Sequence, residues 1–397
     1  MSVREEVGKG RFELDVEPLG LITSRITDEE IEEVKSRRGE EIAGQQEGWQ
    51  VDESRLLRSR IRHWAVMIGD MNPLYLDLEY ARKSRWGTII CPPGILLEAG
   101  QLDPGIDVFP GSRAILTGVS LEWNLPLRFG DVLYGRTWIR EVEEVAAKVR
   151  TGRVVRMEIE SEGKNQDGEP VGTVRESWKC CERGSAAERE LFQGREPAFY
   201  SADEIEKIGE EYKKEIVRGA ETRYGEEVEA GEEVPFLVKG PTTFNAVNLQ
   251  TKRAGRGISW WYGAHGGAFQ IERERPGLFF LNEHGAPEPI VSTDWDHVTV
   301  RQFQGLPGAL EVNSERVHWI IQLLTNWQGD DGFLKRLELE FPRLNLLGDT
   351  TWCRGRVSGK RVEGDGRIVE IEVWTDNQAE EKATIGRAEV VLPAKTG

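Results

Sequence analysis

The sequence predicts an α+β protein built from two related halves, and three doubled features carry that prediction: a helix-start motif, a strand stopped by proline before a Gly-Asp turn, and alternating strands after each turn. Thr27-Asp-Glu-Glu30 and Ser201-Ala-Asp-Glu204 are both capping boxes, in which the hydroxyl takes a first-turn amide and the Glu reaches back. Each opens a charged helix, with Ile31 and Val34 as the apolar stripe of one and Ile205, Ile208, Tyr212 and Ile216 as that of the other. Leu121-Glu-Trp-Asn-Leu-Pro-Leu-Arg-Phe-Gly130-Asp131 resembles Leu337-Glu-Leu-Glu-Phe-Pro-Arg-Leu-Asn-Leu-Leu-Gly348-Asp349. Both read as a strand, a terminating proline and a turn into the next strand.

Three alternating segments follow each turn: 132–141, 153–160 and 172–179 in the first half, 350–359, 367–373 and 384–392 in the second. Glu30 and Glu204 lie 174 residues apart, whereas Gly130 and Gly348 lie 218 apart, so the second half carries about 44 more residues between these marks. The Gly- and aromatic-rich stretch 253–285 is the natural place for them. Glu182-Arg-Gly-Ser-Ala-Ala-Glu-Arg189 is polar and has no apolar period, which predicts a linker and a division into domains 1–185 and 186–397. Two similar units in one chain pack most economically side by side, with an active site expected at their junction.

Composition narrows the function. Lys and Arg number 52 against 69 Asp and Glu, a net charge of −17, which argues against a nucleic-acid partner because phosphate contacts need concentrated positive charge. No apolar run approaches the roughly 18 residues of a membrane span, and the acidic first twenty positions lack the apolar core of a secretory segment. Cys91, Cys180, Cys181 and Cys353 form no CxxC pair, so neither a zinc site nor a disulfide framework is expected, and a reducing cytoplasm is the simplest compartment.

The segment with chemical promise begins in a helix. Leu57, Ile61, Trp64, Ala65 and Ile68 recur at helical spacing, Gly69 stops the helix, and Asp70-Met-Asn-Pro73 makes a turn. Asp70 then stands just past a helix C-terminus, whose partial negative charge and burial would both raise its pKa, as suits an acid/base carboxyl. A carboxylate that merely stabilises the turn fits the same spacing.

Ile68-Gly-Asp-Met-Asn-Pro-Leu-Tyr-Leu-Asp-Leu-Glu-Tyr-Ala81, followed by Gly87-Thr-Ile-Ile-Cys-Pro-Pro-Gly94, resembles the active-site segment of the MaoC-like acyl hydratases and dehydratases. Leu306-Pro-Gly, Asn326-Trp-Gln-Gly-Asp-Asp-Gly332 and Asn377-Gln378 are similar to the C-terminal half of their double-domain members. The resemblance implies a double hotdog fold, each half an antiparallel sheet wrapped around a long central helix. It also implies a hydro-lyase that adds water to, or removes it from, a 2-enoyl-CoA or acyl-carrier-protein thioester, with no cofactor beyond the coenzyme A or phosphopantetheine of the substrate. Asp70 matches the catalytic Asp, Asn72 the loop-shaping Asn and Gly94 the Gly whose N–H polarises the thioester carbonyl. Whether such a fused pair associates into a homo-oligomer stays open.

Tyr75 departs from that pattern, which has His at its place. An ordinary phenol, with a pKa near 10, donates hydrogen bonds well but is a poor base at neutral pH. Three outcomes follow: Asp70 and Tyr75 act as a modified pair, a His arrives from elsewhere, or this half has lost hydration. Of the five histidines, His265 in a glycine-rich loop and His297 near the junction are the candidates for substrate contact, whereas His63 and His284 suit exposed positions and His318 a helix core. Cys91 suits a small buried thiol, and Arg82, Lys83 and Arg85 suit either a phosphate-bearing arm or a solvated patch. A hotdog that binds acyl-CoA without turnover, and a hotdog thioesterase, are the alternative functions.

Overall fold

The computed structural model describes residues 22–42, 58–100, 102–145, 152–246, 273, 278–282, 284–290, 294, 297–363 and 366–395. Leu57, His265 and most of the stretch 253–285 lie outside these residues. The first half contains α1 (Asp28–Ser36), β1 (Glu41–Ile42), α2 (Arg58–Ile68), α3 (Pro73–Leu76), α4 (Leu78–Ala81), β2 (Arg113–Trp123), β3 (Tyr134–Val145), β4 (Val154–Lys164) and β5 (Pro170–Cys181). After it come α5 (Ala186–Leu191), α6 (Ala202–Tyr212), β6 (Glu233–Lys239), β7 (Phe279–Leu281), β8 (Pro287–Pro289), α7 (His297–Gln304), α8 (Asn313–Gln328), β9 (Phe333–Glu340), β10 (Thr351–Glu363), β11 (Gly366–Asn377) and β12 (Lys382–Leu392).

Ten strands form one sheet in the order β1-β3-β4-β5-β2-β9-β12-β11-β10-β6, with every pairing antiparallel. The order is nearly a palindrome, since β2, β3, β4 and β5 correspond to β9, β10, β11 and β12. The halves join where β2 pairs with β9, and there Leu121 faces Leu337 while Ser120 faces Glu338 and Glu122 faces Arg336. These leucines open the two matching sequence segments, so a local pseudo-twofold axis passes between them. Both are fully buried, a burial that contributes about 1.5–3 kcal/mol for each such side chain. Matching isolated bridges, Ile90 with Arg128 and Leu310 with Leu346, precede the helical region of each half.

Both capping boxes are present, Thr27 with Glu30 and Ser201 with Glu204. Ile31 and Val34 are buried beneath α1, but of the second stripe only Ile208 is buried; Ile205, Tyr212 and Ile216 stay exposed.

The two helical regions differ. In the second half α8 runs sixteen residues without Gly or Pro and lies in the shared core, with Val317, Trp319, Ile320 and Leu324 buried against first-half residues such as Leu96 and Leu121. In the first half, where a long helix was expected, the chain forms a seven-residue 3-10 segment, Pro93–Ala99, and then a π turn, Pro104–Val108. Pro92 and Pro93 remove two amides at its start, and Gly100 followed by Asp103-Pro104-Gly105 breaks its continuation.

The expected linker is also structured. Ser185 caps α5, and the fully buried Glu188 carboxylate accepts from Arg113 Nε at 2.5 Å and from the Gly184 amide at 2.7 Å. Arg113 continues to Asp294 at 2.7 Å and to Gln304, and Arg183 meets the same Asp294 at 3.1 Å. The polar run thus carries a buried charge network, which periodicity alone does not reveal.

Candidate active site

The site begins where α2 ends. Its apolar face, Ile61, Trp64, Ala65 and Ile68, is buried, and Gly69 turns the chain with φ of 72°, a left-handed conformation favoured by glycine. Gly69 N donates to Val66 O at 3.1 Å and Asp70 N to Ala65 O at 2.8 Å, the paired bonds of a Schellman motif. Asp70 Oδ1 then accepts the Asn72 amide at 3.0 Å, and Asn72 Oδ1 accepts the Leu74 amide at 3.0 Å as the cap of α3, whose first residue is Pro73. Asp70 therefore does stabilise its turn through one oxygen.

Its surroundings also suit proton transfer. Asp70 is buried, and loss of hydration pushes its pKa up to about 6. The Asn72 amide and the Lys239 ammonium limit that rise, while Glu215 adds to it. Lys239 comes from β6 of the other half and is itself buried; it donates to Ile68 O at 2.8 Å and to Gln322 Oε1 at 2.6 Å. A cation there closes the C-terminus of α2, where carbonyls lack partners. Gln322 Nε2 donates to Gly69 O at 3.1 Å and to Glu215 Oε1 at 2.9 Å, tying the turn to α8.

Tyr75 is buried too, and burial followed by the charge of Asp70 pushes its phenol well above the ordinary value, while a hydrogen bond with Thr325 opposes the rise. Tyr75 is thus no base at neutral pH; it is a hydrogen-bonding group.

An apolar cleft lies where the halves meet. Trp86, Ile95, Leu96, Trp123, Leu127 and Phe333 give it apolar walls, and Asn72 and Tyr75 of the motif line it opposite Thr325, Gln328 and Asp330 of the second half. Asp70, bonded to the Asn72 amide and acting electrostatically on Tyr75, is not itself among the lining residues. Sequence reasoning missed Lys239, Gln322, Thr325, Gln328 and Asp330 as parts of the site. The Asn326-to-Gly332 segment carried a visible signal in its Gly-Asp-Asp run, but nothing local says that it meets Tyr75.

Gly94 lies in the 3-10 segment between lining residues Pro93 and Ile95. A Cβ there would stand 2.2 Å from His318 Nδ1, so only glycine fits. His318 is buried, its ring edge-on to Trp64 at 5.4 Å between centroids, and is the imidazole placed against the expected carbonyl-polarising residue. We predict that Gly94→Ala lowers stability by about 1–3 kcal/mol, the usual cost of overpacking, and that His318→Ala in the same chain recovers part of it; thermal unfolding of the two variants checks this.

His297 is placed elsewhere. Its Nδ1 accepts the Ala309 amide at 3.1 Å, and it is not among the residues lining the cleft. His265 lies outside the described residues, and His63 and His284 are exposed as expected. Burial pushes the Cys91 thiol well above its ordinary value, as for an inert core cysteine. Arg85 is exposed at the rim, stacked 4.2 Å over Trp86, whose ring lines the cleft. Among the described residues no helix is long and apolar enough to cross a membrane.

Comparison with known proteins gives three kinds of match. Residues 45–174 match a family model described as the FAS1-like dehydratase domain region. A UPF0336 protein of Thermobifida fusca is 32% identical over 123 residues, which span 29% of this chain and 76% of that protein. One of Streptomyces avermitilis is 30% identical over 126 residues, 30% of this chain and 78% of the relative. Among solved structures, a MaoC-like dehydratase aligns with a TM-score of 0.61 and 15% identity over 91% of this chain and all of that one. A conserved hypothetical protein of Mycobacterium tuberculosis, described as a double hotdog, aligns with a TM-score of 0.51 and 12% identity over 85% of this chain and 92% of its own.

Proposed function

The chain belongs to the MaoC-like hotdog family, and from that premise we propose that it adds water reversibly across the 2,3 double bond of an acyl thioester. One observation carries the reading: an apolar cleft between the halves bears Asn72 and Tyr75 on its wall, and the buried carboxyl of Asp70, with a pKa of about 6, bonds the Asn72 amide. The apolar walls suit an acyl chain. Asp70 takes a proton from the attacking water through Oδ2, the oxygen not used by the turn, and Tyr75 orients that water as a hydrogen-bond partner. The Gly94 amide polarises the thioester carbonyl, where negative charge develops as oxygen bonds to the β-carbon. Coenzyme A or a phosphopantetheine arm enters as part of the substrate, with Arg85 at the rim placed to meet its anionic groups.

A base of this pKa fixes the pH dependence. Hydration needs the ionised form, so kcat/KM falls as pH drops through about 6. The pH profile of water addition to a 2-enoyl thioester tests this. An acid limb near pH 6 supports Asp70 as the base, whereas a limb near the ordinary carboxylate value of 3.8 removes the buried Asp70 from that role.

A further inference from the structure

The motif supplies one titratable proton-transfer group, whereas hydration involves two proton transfers. Water must lose a proton as its oxygen bonds to the β-carbon, and the α-carbon must gain one. Tyr75, in place of the usual imidazole, is held far from ionisation. The cleft contains another carboxyl, Asp330, just after α8.

Asp330 is only 4% exposed. Tyr80 of α4 donates to its Oδ2 at 2.7 Å. Its backbone is pinned as well: Trp86 Nε1 donates to its carbonyl at 2.9 Å, and its amide donates to Gly219 O at 2.9 Å. Oδ1, by contrast, is buried with no hydrogen-bond partner among the described residues, and so is Gln328 Oε1 in the same cleft wall. Two buried acceptor oxygens without donors are costly, and a proton on the carboxyl removes part of that cost. The titratable groups around it are Tyr80, Asp331 and Tyr75. Burial raises the Asp330 pKa, the Tyr80 hydrogen bond opposes the rise, and the Asp331 carboxylate adds to it.

We propose that Asp330 is the second catalytic residue, the acid that protonates the α-carbon across the cleft from the motif. This rests on the hydratase reading above. In the forward step water loses a proton to Asp70 and its oxygen bonds to the β-carbon. The electron pair of the C=C bond moves to the α-carbon and takes the proton from Asp330 Oδ1. Asp330 is left ionised and Asp70 protonated, and exchange with solvent restores both. Each half thus supplies one proton-transfer group, which is how a chain with Tyr75 keeps a complete dyad.

The test uses the full chain with a 2-enoyl thioester in water and in deuterium oxide. Asp330→Asn is expected to lower kcat at least 100-fold with KM within threefold, as for loss of an acid/base group, and to abolish solvent deuterium exchange at the α-carbon of the hydrated product. Tyr80→Phe removes the bond that favours ionised Asp330, so the alkaline limb of the rate profile should move to higher pH. This second variant decides the matter if Asp330→Asn fails to fold. Asp330→Asn hydrating within threefold of the parent overturns the proposal, as does an unmoved alkaline limb in Tyr80→Phe. If Asp70→Asn is then inactive, the hydratase reading survives without Asp330; if the parent hydrates no 2-enoyl thioester, both fall.

Discussion

Asp70→Asn is expected to lose hydration by at least 100-fold in kcat while melting at or above the temperature of the parent. The first effect follows because the amide cannot accept the proton of water, and acid/base groups contribute about 10²–10⁴ to rate. The second follows from linkage. In the folded chain Asp70 has a pKa of about 6, against 3.8 for an ordinary Asp. A carboxyl raised in this way costs stability once it ionises: nothing below the unfolded value, increasingly as pH rises from there to about 6, and the full amount above. That amount is about 3 kcal/mol for such a difference. Asparagine keeps an oxygen for the Asn72 amide and removes the buried charge. Rate and thermal unfolding measured together at pH 7.5 therefore separate a catalytic carboxylate from a turn residue. A turn residue, whose acceptor oxygen asparagine retains, would leave the rate nearly intact.

The largest expected loss of stability lies elsewhere, at Arg113. Its guanidinium meets Glu188 at 2.5 Å and Asp294 at 2.7 Å, and the Arg113 and Glu188 side chains are almost wholly buried. Arg113→Met leaves a buried carboxylate without its cation, which costs about 3–5 kcal/mol. Denaturant unfolding at neutral pH should show it. The loss also has a pH signature. Burial raises the pKa of Asp294, but the guanidiniums of Arg113 and Arg183 outweigh it and hold the carboxyl below 3.8. Stability from a depressed carboxyl is present above its unfolded pKa and lost as pH falls through the folded one, so the gap between parent and variant should narrow below about pH 4.

What could be read from the sequence was local or repeated. The capping boxes lie within three residues, the strands show in alternation, and the doubled Leu121 and Leu337 segments turn out to face one another across the pseudo-twofold axis. Gly69, Asp70, Asn72 and Pro73 form the turn their chemistry dictates. What escaped was long-range. Lys239 reaches the Asp70 turn from 169 positions away, and Asp330 meets Tyr80 across 250, separations at which no periodicity applies. Local pattern misled twice. The polar run after Glu182 looked like solvent-exposed linker because its partners, Arg113 and Asp294, stand far off in the chain. The apolar stripe of Ile205, Tyr212 and Ile216 promised burial that the fold does not provide. The missing first-half helix was legible in principle, because Gly100 and Asp103-Pro104-Gly105 interrupt it.

The most direct measurement is to incubate the parent chain with a panel of 2-enoyl thioesters of graded chain length and follow both the mass of the acyl group and the release of free thiol. Gain of the mass of one water with the thioester intact is the expected result. Tight binding without any change of mass would make the chain an acyl-binding protein, and release of thiol would make it a thioesterase; either contradicts hydration at the junction of the two halves.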